Sequence, residues 1–572
     1  MVVSKGMMAS PTLRLRAPLF CMAGLVVAAM LLLFAVGGGA NLSLFYLHRQ
    51  DQWLLLAGTV AIALCLWRPV RHEAGFSGSW RLALVVGGTM AAAAFAGHYL
   101  ILSGHDLSRD EQMAAFDAAI FAKGVLAAPL PSLWRDHADA LNTMFLYPAE
   151  QRGAWVSAYL PLNAALRSLV GLVATPTLTG PLMTFVGALA LWGCARRIWP
   201  QDREAPVVAM LLYAGSAQVL FTGMTAYAMP AHLALNLCWL WLFLGRRWWM
   251  DGVALAVGFF AVGLHQPHMH PLFAGPILFL LLLEKSWGRA AFYFVGYAAI
   301  GAFWLWWPNA MWAISQASDV VHKPEGVDYL TRLLTELHKG NRMALANMAA
   351  NLLRFAAWQH LLLVPLLLIG FRMIRRDRLA GALAAGVLLT IIVMAVILPY
   401  QGHGFGYRYL HAVMGSCILL AAYGWITLGQ DRAIWRSVLL RATAAGLCVL
   451  LPMQAWMAHQ FYTPFARVSK RIDASRADYV VVGDTDAPFS TDLVINPPFL
   501  DRRPIRLLRG AIDPGLAQQL CVGHPAVALV GEPVLAPISA YYDFTPQASV
   551  ARANAGLADR LSKAGCRVAM LD

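Results

Sequence analysis

The chain has 572 residues, of which 59% are hydrophobic and 13% are charged, and its mean hydropathy is +0.58. Water-soluble domains carry about 25% charged residues, so this composition excludes a protein that is soluble along its whole length. The net charge of +14 would also suit a nucleic-acid partner, but most Lys and Arg residues fall in short connections between apolar runs, where membrane orientation accounts for them.

Apolar segments of about 18 residues or more recur along most of the chain, which predicts a polytopic helical membrane protein. The first of them, 19–36, follows Lys5, Arg14 and Arg16 and is long for a signal peptide, so we interpret it as a retained helix. About thirteen spans are predicted, with one or two more or fewer near 160–175 and 251–284. They lie near 19–36, 52–67, 82–102, 178–195, 206–222, 227–245, 251–264, 271–284, 290–307, 356–371, 379–398, 408–428 and 437–458.

The basic residues between these spans predict the orientation of the chain. If the N-terminus is cytoplasmic, every strong basic cluster falls on the cytoplasmic side, as the positive-inside rule requires. These clusters are Arg68/Arg71/Arg81, Arg196/Arg197/Arg203, Arg246/Arg247, Lys285/Arg289, Arg372/Arg375/Arg376/Arg378 and Arg432/Arg436. Residues 1–459 then form a transmembrane module with outer loops 103–160 and 309–350, and residues 460–572 leave the membrane on the outer side.

Residues 460–572 have the composition of a soluble domain. Apolar runs at 479–482, 526–530 and 568–571 are short enough for buried strands, with turn and helix signals between them, which predicts a small α/β domain. Only Cys521 and Cys566 fall in this part, whereas the other cysteines lie in apolar spans. An oxidising compartment would join the two in a disulfide, and two unrelated buried thiols are the alternative.

The acidic pair Asp110 and Glu111, in the first outer loop, predicts either a helix cap or a catalytic site. Ser108 and Glu111 have the spacing of a capping box, and Asp110 at the second helical position is favoured by the helix dipole. The helix that follows, 112–124, is short and amphipathic and is expected at the boundary of lipid and water, with Asp117 on the face of Asp110. A carboxylate there can accept the proton of an attacking hydroxyl, so Asp110 is the candidate base, with Glu111 beside it.

A second candidate site lies at residues 403–409, where the sequence is His-Gly-Phe-Gly-Tyr-Arg-Tyr. Arg408 stands at the outer end of a span, against the charge bias of the other spans, and a guanidinium binds phosphate through two parallel hydrogen bonds. The glycines leave room for a ligand, and His403 and Tyr407 are assigned with the arginine to phosphate binding. The alternative is an arginine that extends to lipid headgroups, with Tyr407 as an interfacial aromatic residue.

Three histidines, His265, His268 and His270, lie at the outer end of a predicted span that Pro267 interrupts. They are expected to line a substrate cavity and to bind a polar ligand or phosphate. A divalent metal ion is a second interpretation, although no carboxylate is adjacent in sequence, and packed, satisfied histidines are a third. Tyr159, in the Tyr-Leu-Pro-Leu sequence that closes the first outer loop, is a further cavity candidate, and a helix start at the next proline explains it without function.

The order of these motifs resembles the C-type glycosyltransferase superfamily, which includes protein O-mannosyltransferases and the bacterial aminoarabinose transferase that modifies lipid A. The resemblance rests on Asp110 and Glu111 in the first large outer loop, a short interfacial helix, Tyr-Leu-Pro-Leu at 159–162 and Tyr-Arg-Tyr at 407–409, and it covers about residues 80–430. The acidic motif usually follows the first span, whereas here it follows the third, so a two-helix hairpin is added in front.

The resemblance implies an all-α polytopic membrane fold and transfer of a monosaccharide, a hexose or a pentose, from a polyprenyl-phosphate donor at the periplasmic face of a bacterial inner membrane. Asp110 then corresponds to the acidic residue beside the acceptor, and Arg408 to a phosphate-binding residue. The acceptor is a hydroxyl group of a glycan, lipid or protein, membrane lipids surround the module, and a divalent metal ion stays open as a cofactor. A transporter or flippase of lipid-linked saccharides is the rival interpretation, but the two related halves typical of transporters are not evident.

Overall fold

The computed structural model describes residues 11–149, 152–316, 327–339 and 342–572, and most of these residues are α-helical. Within the predicted outer loops, residues 150–151, 317–326 and 340–341 lie outside the described residues, and so does Lys5 ahead of the first span. The described residues form a bundle of apolar helices, a long first loop that packs on one end of it, and an α/β domain at the C-terminus.

The bundle and its loops contain helices α1 (Pro11–Val36), α2 (Leu42–Tyr46), α3 (Gln52–Cys65), α4 (Trp80–Leu100), α5 (Arg109–Phe121), α6 (Ser132–Arg135), α7 (Leu162–Gly171), α8 (Thr179–Ile198), α9 (Glu204–Ala214), α10 (Ala217–Gly223), α11 (Met229–Phe243), α12 (Trp248–Val262), α13 (Met269–Leu283), α14 (Trp287–Ser315), α15 (Tyr329–Lys339), α16 (Ala344–Ala357), α17 (Leu363–Gly370), α18 (Arg378–Ile397), α19 (Met414–Thr427), α20 (Arg432–Ala445) and α21 (Leu451–Asp473). A π-helical turn, Leu47–Asp51, joins α2 to α3, and a 3-10 turn, Arg408–Val413, leads into α19. Two short antiparallel strands, β1 (Ala128–Pro129) and β2 (Ala154–Trp155), pair within the first outer loop.

The predicted spans differ in length in the structure. Every predicted span coincides with a helical segment, but in the described residues only seven helices are long and apolar enough to cross a membrane, or eight if α9 and α10, bent by 58°, form one span. The others are the 14-residue α3 and four shorter apolar helices: α11, α12, α13 and Leu363–Met373. A helix of 15 residues rises only about 22 Å against a hydrocarbon core about 30 Å thick. Several of the thirteen predicted spans are therefore short for a full crossing, and the chain has the multi-pass helical membrane fold that the sequence predicts.

Small residues allow the central helices to approach each other closely. A Cβ atom at Gly370 of α17 would lie 1.9 Å from the backbone oxygen of Leu420 in α19, and one at Gly424 would lie 2.1 Å from that of Leu366. Helix association within a membrane depends on such packing, because lipid tails provide no hydrophobic driving force between helices. The two helices therefore form a rigid pair, and α19 carries the 3-10 turn with Arg408 at its start.

Helix α5 is enclosed rather than exposed at the interface. The predicted capping box is present, because the Ser108 side chain accepts a hydrogen bond from the Glu111 backbone and the Glu111 carboxylate accepts one from the Ser108 backbone. The side chains of Arg109 and Gln112 donate to the backbone oxygens of Val494 and Asp492 at 3.2 and 2.8 Å. The C-terminal domain therefore covers the side of α5 that the sequence analysis assigns to water.

The C-terminal domain contains β3 (Tyr479–Val482), β4 (Ile505–Leu508), α22 (Pro514–Leu520), β5 (Ala526–Val530), α23 (Glu532–Tyr541), α24 (Ala548–Lys563) and β6 (Arg567–Leu571). The strands form one parallel sheet in the order β4-β3-β5-β6, as expected for a small α/β domain. Strand β4 is absent from the sequence prediction because basic residues lie within it and beside it. Of these, Arg506 is buried and bonds to Asp473 at 2.5 Å.

Helix α21 continues to Asp473, so the change from bundle to α/β domain falls later than residue 460. The side chains of Cys521 and Cys566 are joined in a disulfide that ties the end of α22 to the start of β6. At the other end of the sheet, the segment 42–51 of the N-terminus contacts the domain, because Gln50 donates to the Tyr541 hydroxyl at 2.9 Å and Arg49 pairs with Asp543 at 3.1 Å. Residues 42–51 and the end of α23, which are far apart in sequence, are thus in contact.

Candidate active site

Asp110, Tyr159 and Arg408 meet in a cavity at one end of the membrane helices. Oδ2 of Asp110 accepts a hydrogen bond from Nη1 of Arg408 at 2.8 Å, and Oδ1 accepts one from the Tyr159 hydroxyl at 2.5 Å. The Asp110 side chain keeps 21% of its surface exposed, whereas that of Arg408 keeps 4%. Tyr159 and Arg408, which lie 49 and 298 residues after Asp110 in sequence, therefore both bond to its carboxylate.

The Arg408 side chain is held from several sides. Its guanidinium lies 4.4 Å from the ring centroid of Tyr227, and its backbone N–H donates to Oε1 of Gln401 at 2.8 Å. Gly404 has a φ of +140°, and a Cβ atom there would lie 2.4 Å from Cδ of Arg408, so the arginine can lie against this backbone only because the residue is glycine. Nε of Arg408 is buried and has no hydrogen-bond partner among the described residues. An anionic ligand would satisfy this donor.

The polar cavity opens onto an apolar groove. The cavity has a volume of about 440 Å³, and besides the three residues above it is lined by His265, His268, Tyr329, Arg332, Tyr400 and Tyr409. The groove, of about 660 Å³, is lined mainly by apolar side chains of α13 and α14. Pro267, His268, Trp304 and Tyr329 line both. A ligand with a charged head and a long apolar tail would match this combination.

The electrostatics of Asp110 favour the carboxylate form. Burial raises the pKa of Asp110, but Arg408, His265 and the hydrogen bond from Tyr159 lower it and together hold the pKa below its ordinary value. Burial, the largest cause, lowers the pKa of His265 below its ordinary value. Asp110 is consequently an ionised acceptor of hydrogen bonds, held next to one permanent cation.

The three predicted histidines separate. His265 lies with its ring centroid 4.2 Å from that of Tyr159, beside Asp110, and His268 bonds through Nδ1 to the Tyr329 hydroxyl. His270 lies inside α13, away from the cavity, where Nδ1 contacts Oδ1 of Asn236 at 2.7 Å. Among the described residues, no group of three or more His, Cys, Asp or Glu side chains has the arrangement of a metal site. The histidines alone therefore form no metal centre, because the turn around Pro267 points them in different directions.

Glu111 serves the helix cap. Its Oε2 accepts hydrogen bonds from the Ser108 backbone and hydroxyl, each at 3.0 Å, and the Tyr462 hydroxyl donates to the same carboxylate. Burial and the neighbouring carboxylate of Asp106 raise the pKa of Glu111 to about 8. Its side chain does not line the cavity. In the structure Glu111 thus belongs to the helix cap, and its predicted role beside Asp110 stays a prediction.

Asp117 lies on the same side of α5 as Asp110, as the spacing predicts, but its carboxylate is bonded within the protein. It accepts hydrogen bonds from the backbone N–H of Ser157 at 3.0 Å and from the Ser157 hydroxyl at 2.5 Å. Burial raises the pKa of Asp117 to about 7. Asp117 therefore ties α5 to the end of the first outer loop, two residues before Tyr159, and touches only the small polar pocket behind Asp110.

The two residues assigned with Arg408 do not reach the cavity. Nδ1 of His403 contacts the Tyr46 hydroxyl at 2.8 Å, and the Tyr407 hydroxyl donates to Sδ of Met348 at 3.5 Å. Both side chains are buried on the far side of the loop. They differ from Arg408 in direction because the loop backbone turns at Gly404 and Gly406, which both have positive φ.

The sequence analysis does not identify several residues that contact or line the site, among them Arg332, Tyr227, Tyr329 and Tyr400. Arg332, at the start of the amphipathic α15, is a second cation lining the cavity, and Tyr227 supports Arg408 from an otherwise apolar stretch. An arginine three residues after Tyr329 on the apolar side of an outer-loop helix is a signal that could have located the first. Nothing local distinguishes Tyr227 from the aromatic residues that pack helices.

No protein-family model matches the chain, and no curated protein matches it in sequence. Among solved structures, ArnT from Cupriavidus metallidurans bound to undecaprenyl phosphate matches with a TM-score of 0.50 and 10% identity, over 83% of this chain and 91% of that one. The apo form of that protein gives a TM-score of 0.45 at 11% identity over 82% and 89%, and the Archaeoglobus fulgidus oligosaccharyltransferase gives 0.37 at 12% identity over 81% and 69%. The first match shows that the chain shares the fold of that ArnT structure, which agrees with the predicted resemblance at the level of fold.

Proposed function

We propose that the protein is a membrane glycosyltransferase that moves a monosaccharide from a polyprenyl-phosphate donor to an acceptor hydroxyl. The observation that carries the proposal is the pairing of Asp110 with Arg408 at 2.8 Å, in a polar cavity that opens onto an apolar groove. A carboxylate suits an incoming hydroxyl, a buried guanidinium suits a phosphate, and the groove suits a polyprenyl chain. The similar fold of ArnT, solved with undecaprenyl phosphate, supports this donor class.

The donor phosphate would bind to Arg408 and Arg332. Arg408 contributes the unsatisfied Nε and a second N–H for a bidentate contact, and Arg332, whose Nε also has no partner among the described residues, lines the same cavity. Fixed cations near a leaving phosphate stabilise the charge that develops as its bond to the sugar breaks. Holding them in place before the reaction avoids the cost of reorganising them during it.

The transfer is a substitution at the anomeric carbon. The acceptor hydroxyl, hydrogen-bonded to Asp110, attacks that carbon, and a new carbon–oxygen bond forms while the bond to the phosphate oxygen breaks. The electron pair of the broken bond goes to the phosphate, which leaves as polyprenyl phosphate next to Arg408. The hydroxyl proton passes to Asp110, and attack from the side opposite the phosphate inverts the anomeric configuration.

Donor binding would prepare Asp110 for this task. While Arg408 pairs with Asp110, the pKa of the carboxyl is held down and its strength as a base is low. When a phosphate takes over the guanidinium, the carboxylate loses part of this stabilisation and its pKa rises. Asp110 becomes a stronger base only once a donor is in place.

We place the cavity on the periplasmic side of a bacterial inner membrane, with the N-terminus in the cytoplasm and the C-terminal domain in the periplasm. The support is the distribution of the basic clusters, all of which fall on the opposite side. The disulfide between Cys521 and Cys566 agrees with an oxidising compartment. Protease added to intact spheroplasts is expected to remove the C-terminal domain, and full protection of it would reverse the orientation.

The test of function is release of undecaprenyl phosphate. Purified protein in nanodiscs is incubated with a panel of undecaprenyl-phosphate hexoses and pentoses together with an envelope extract as the source of acceptor. The wild type is expected to release the lipid phosphate, and Asp110→Asn is expected to lose release while it still binds undecaprenyl phosphate. Glu111→Gln is the matched control, because glutamine preserves the capping box and the residue lies outside the cavity.

The outcomes separate the enzyme from the rival flippase. A flippase would bind the donor without releasing lipid phosphate from any sugar of the panel, in the wild type as in Asp110→Asn. Equal turnover of Asp110→Asn and Glu111→Gln would refute the role of Asp110.

A further inference from the structure

A buried ion pair links the N-terminal hairpin to the Arg408 loop. Oδ2 of Asp51 accepts a hydrogen bond from Nε of Arg354 at 2.9 Å, and the exposed fractions of the two side chains are 0% and 1%. The indole N–H of Trp358 donates to the other carboxylate oxygen at 2.6 Å. The partners are 303 residues apart in sequence, and neither lines the cavity.

The pair continues directly to the backbone beneath Arg408. Nη2 of Arg354 donates to the carbonyl oxygen of Gly404 at 2.8 Å. Gly404 is the residue against which the Arg408 side chain lies, since a Cβ atom there would meet Cδ of Arg408 at 2.4 Å. The Arg354 guanidinium therefore fixes the position of the Gly404 backbone against which the Arg408 side chain lies.

The energetics indicate a role other than stability. Transfer of two charges out of water costs more than a buried pair usually returns, and packed apolar residues of the same volume are often as stable. The carboxylate also lies at the end of the π-helical turn Leu47–Asp51, and such turns within helices are frequent at functional sites. Ionised groups at membrane depth are rare unless a task requires them.

We propose that Asp51 and Arg354 are positioning residues for the donor phosphate. They hold the carbonyl of Gly404, and through it the loop 401–408, so that the Arg408 guanidinium faces the cavity with its free N–H groups directed to the phosphate. The inference rests on the proposed function of Arg408 and adds to it two residues from outside the motif region. The added N-terminal hairpin thereby becomes part of the donor site.

The test measures binding of undecaprenyl phosphate, which needs no knowledge of the sugar or the acceptor. Asp51→Asn keeps the shape but removes the charge that orients Arg354. We expect the dissociation constant of undecaprenyl phosphate to rise about 10-fold in this variant, which corresponds to the loss of about one charge-assisted hydrogen bond from Arg408. Arg354→Lys keeps the charge but cannot reach both Asp51 and Gly404. We expect an intermediate loss, and near-normal binding in Asp51→Glu.

The chain offers a closely matched control at the other end of the bundle. Glu204 pairs with Arg436 at 2.7 Å and accepts the indole N–H of Trp425 at 3.1 Å, so it has the same two kinds of partner. Glu204→Gln should lower the thermal midpoint as Asp51→Asn does but leave the dissociation constant within about 2-fold. Equal weakening by both substitutions would mean a general loss of packing and would overturn the proposal.

Arg408→Gln distinguishes a failure of the positioning role from a failure of the proposed function on which that role rests. If Arg408→Gln weakens binding and Asp51→Asn and Arg354→Lys do not, the positioning role is wrong and the donor site stands. If Arg408→Gln binds undecaprenyl phosphate normally, the phosphate role of Arg408 itself fails. Should Asp51→Asn not fold, Arg354→Lys decides the question, and normal binding by that variant refutes the proposal.

Discussion

Substitution of Arg408 by lysine tests the geometry of the site more sharply than removal of the charge. The guanidinium donates one N–H to Asp110 at 2.8 Å and has at least its buried Nε free for a phosphate, so it can contact base and donor at once. A lysine ammonium is a compact point charge without the planar fork of a guanidinium, so it can contact either Asp110 or the donor phosphate but not both. Arg408→Lys therefore loses about one charge-assisted hydrogen bond to the donor.

A hydrogen bond to a charged group contributes about 1.5–3 kcal/mol, which corresponds to a loss of about 10- to 150-fold in donor affinity. The assay is the KM for undecaprenyl-phosphate sugar, measured beside direct binding of undecaprenyl phosphate. Arg436→Lys is the control, since Arg436 holds Glu204 through two N–H groups far from the cavity. A donor KM in Arg408→Lys that equals the wild-type value would refute the bidentate role and leave Arg408 as a buried partner of Asp110.

Three further results are expected. Gly404→Ala should weaken undecaprenyl phosphate binding by displacing Arg408, whereas Gly402→Ala should not, because its Cβ would lie at an ordinary 3.7 Å from Nη2 of Arg408; equal effects would contradict this. Burial raises the pKa of Asp117 to about 7 in the folded protein, so the stability of the protein falls as pH rises from about 4 to 7. Asp117→Asn can keep both hydrogen bonds to Ser157 and should therefore raise the thermal midpoint at pH 8 but not at pH 4. A lower midpoint at pH 8 would contradict this expectation. Reduction of the 45-residue disulfide loop should cost the C-terminal domain about 4 kcal/mol, visible as a lower unfolding midpoint with dithiothreitol, and two thiols that react with an impermeant reagent before reduction would show that the bond is absent in the protein.

Charged residues in apolar surroundings are what the sequence makes visible. Arg408 stands out because it goes against the charge bias of the other spans, whereas Asp110 fits a helix start and stands out by its place beside a long apolar segment. The structure brings the two together. The three histidines do not share one site in the structure. They lie three and two residues apart on either side of the start of α13, where Pro267 interrupts the helix, so their side chains point in different directions. Spacing alone does not define a shared face when the backbone is irregular.

Pairs formed across long sequence distances left no local signal. Asp51 lies between two apolar helices and Arg354 near the end of another, and neither spacing nor composition connects them. The enclosure of α5 had the same cause, since its partners Asp492 and Val494 come almost 400 residues later. An amphipathic helix identifies a polar side, but it does not reveal whether water or a later domain covers that side.

The contact between residues 42–51 and the C-terminal domain has a consequence for the order in which the parts of the protein are made. Gln50 can bond to Tyr541 only after Tyr541 has been synthesised, 491 residues later. At a synthesis rate of about 5–20 residues per second, the delay is about 25–100 s. During that time the segment 42–51 is already outside the ribosome, but its partners in the C-terminal domain do not yet exist. Completion of the region around α5 is thus tied to the synthesis of the C-terminal domain, and a ribosome that stops before this domain leaves a bundle without the residues that cover α5.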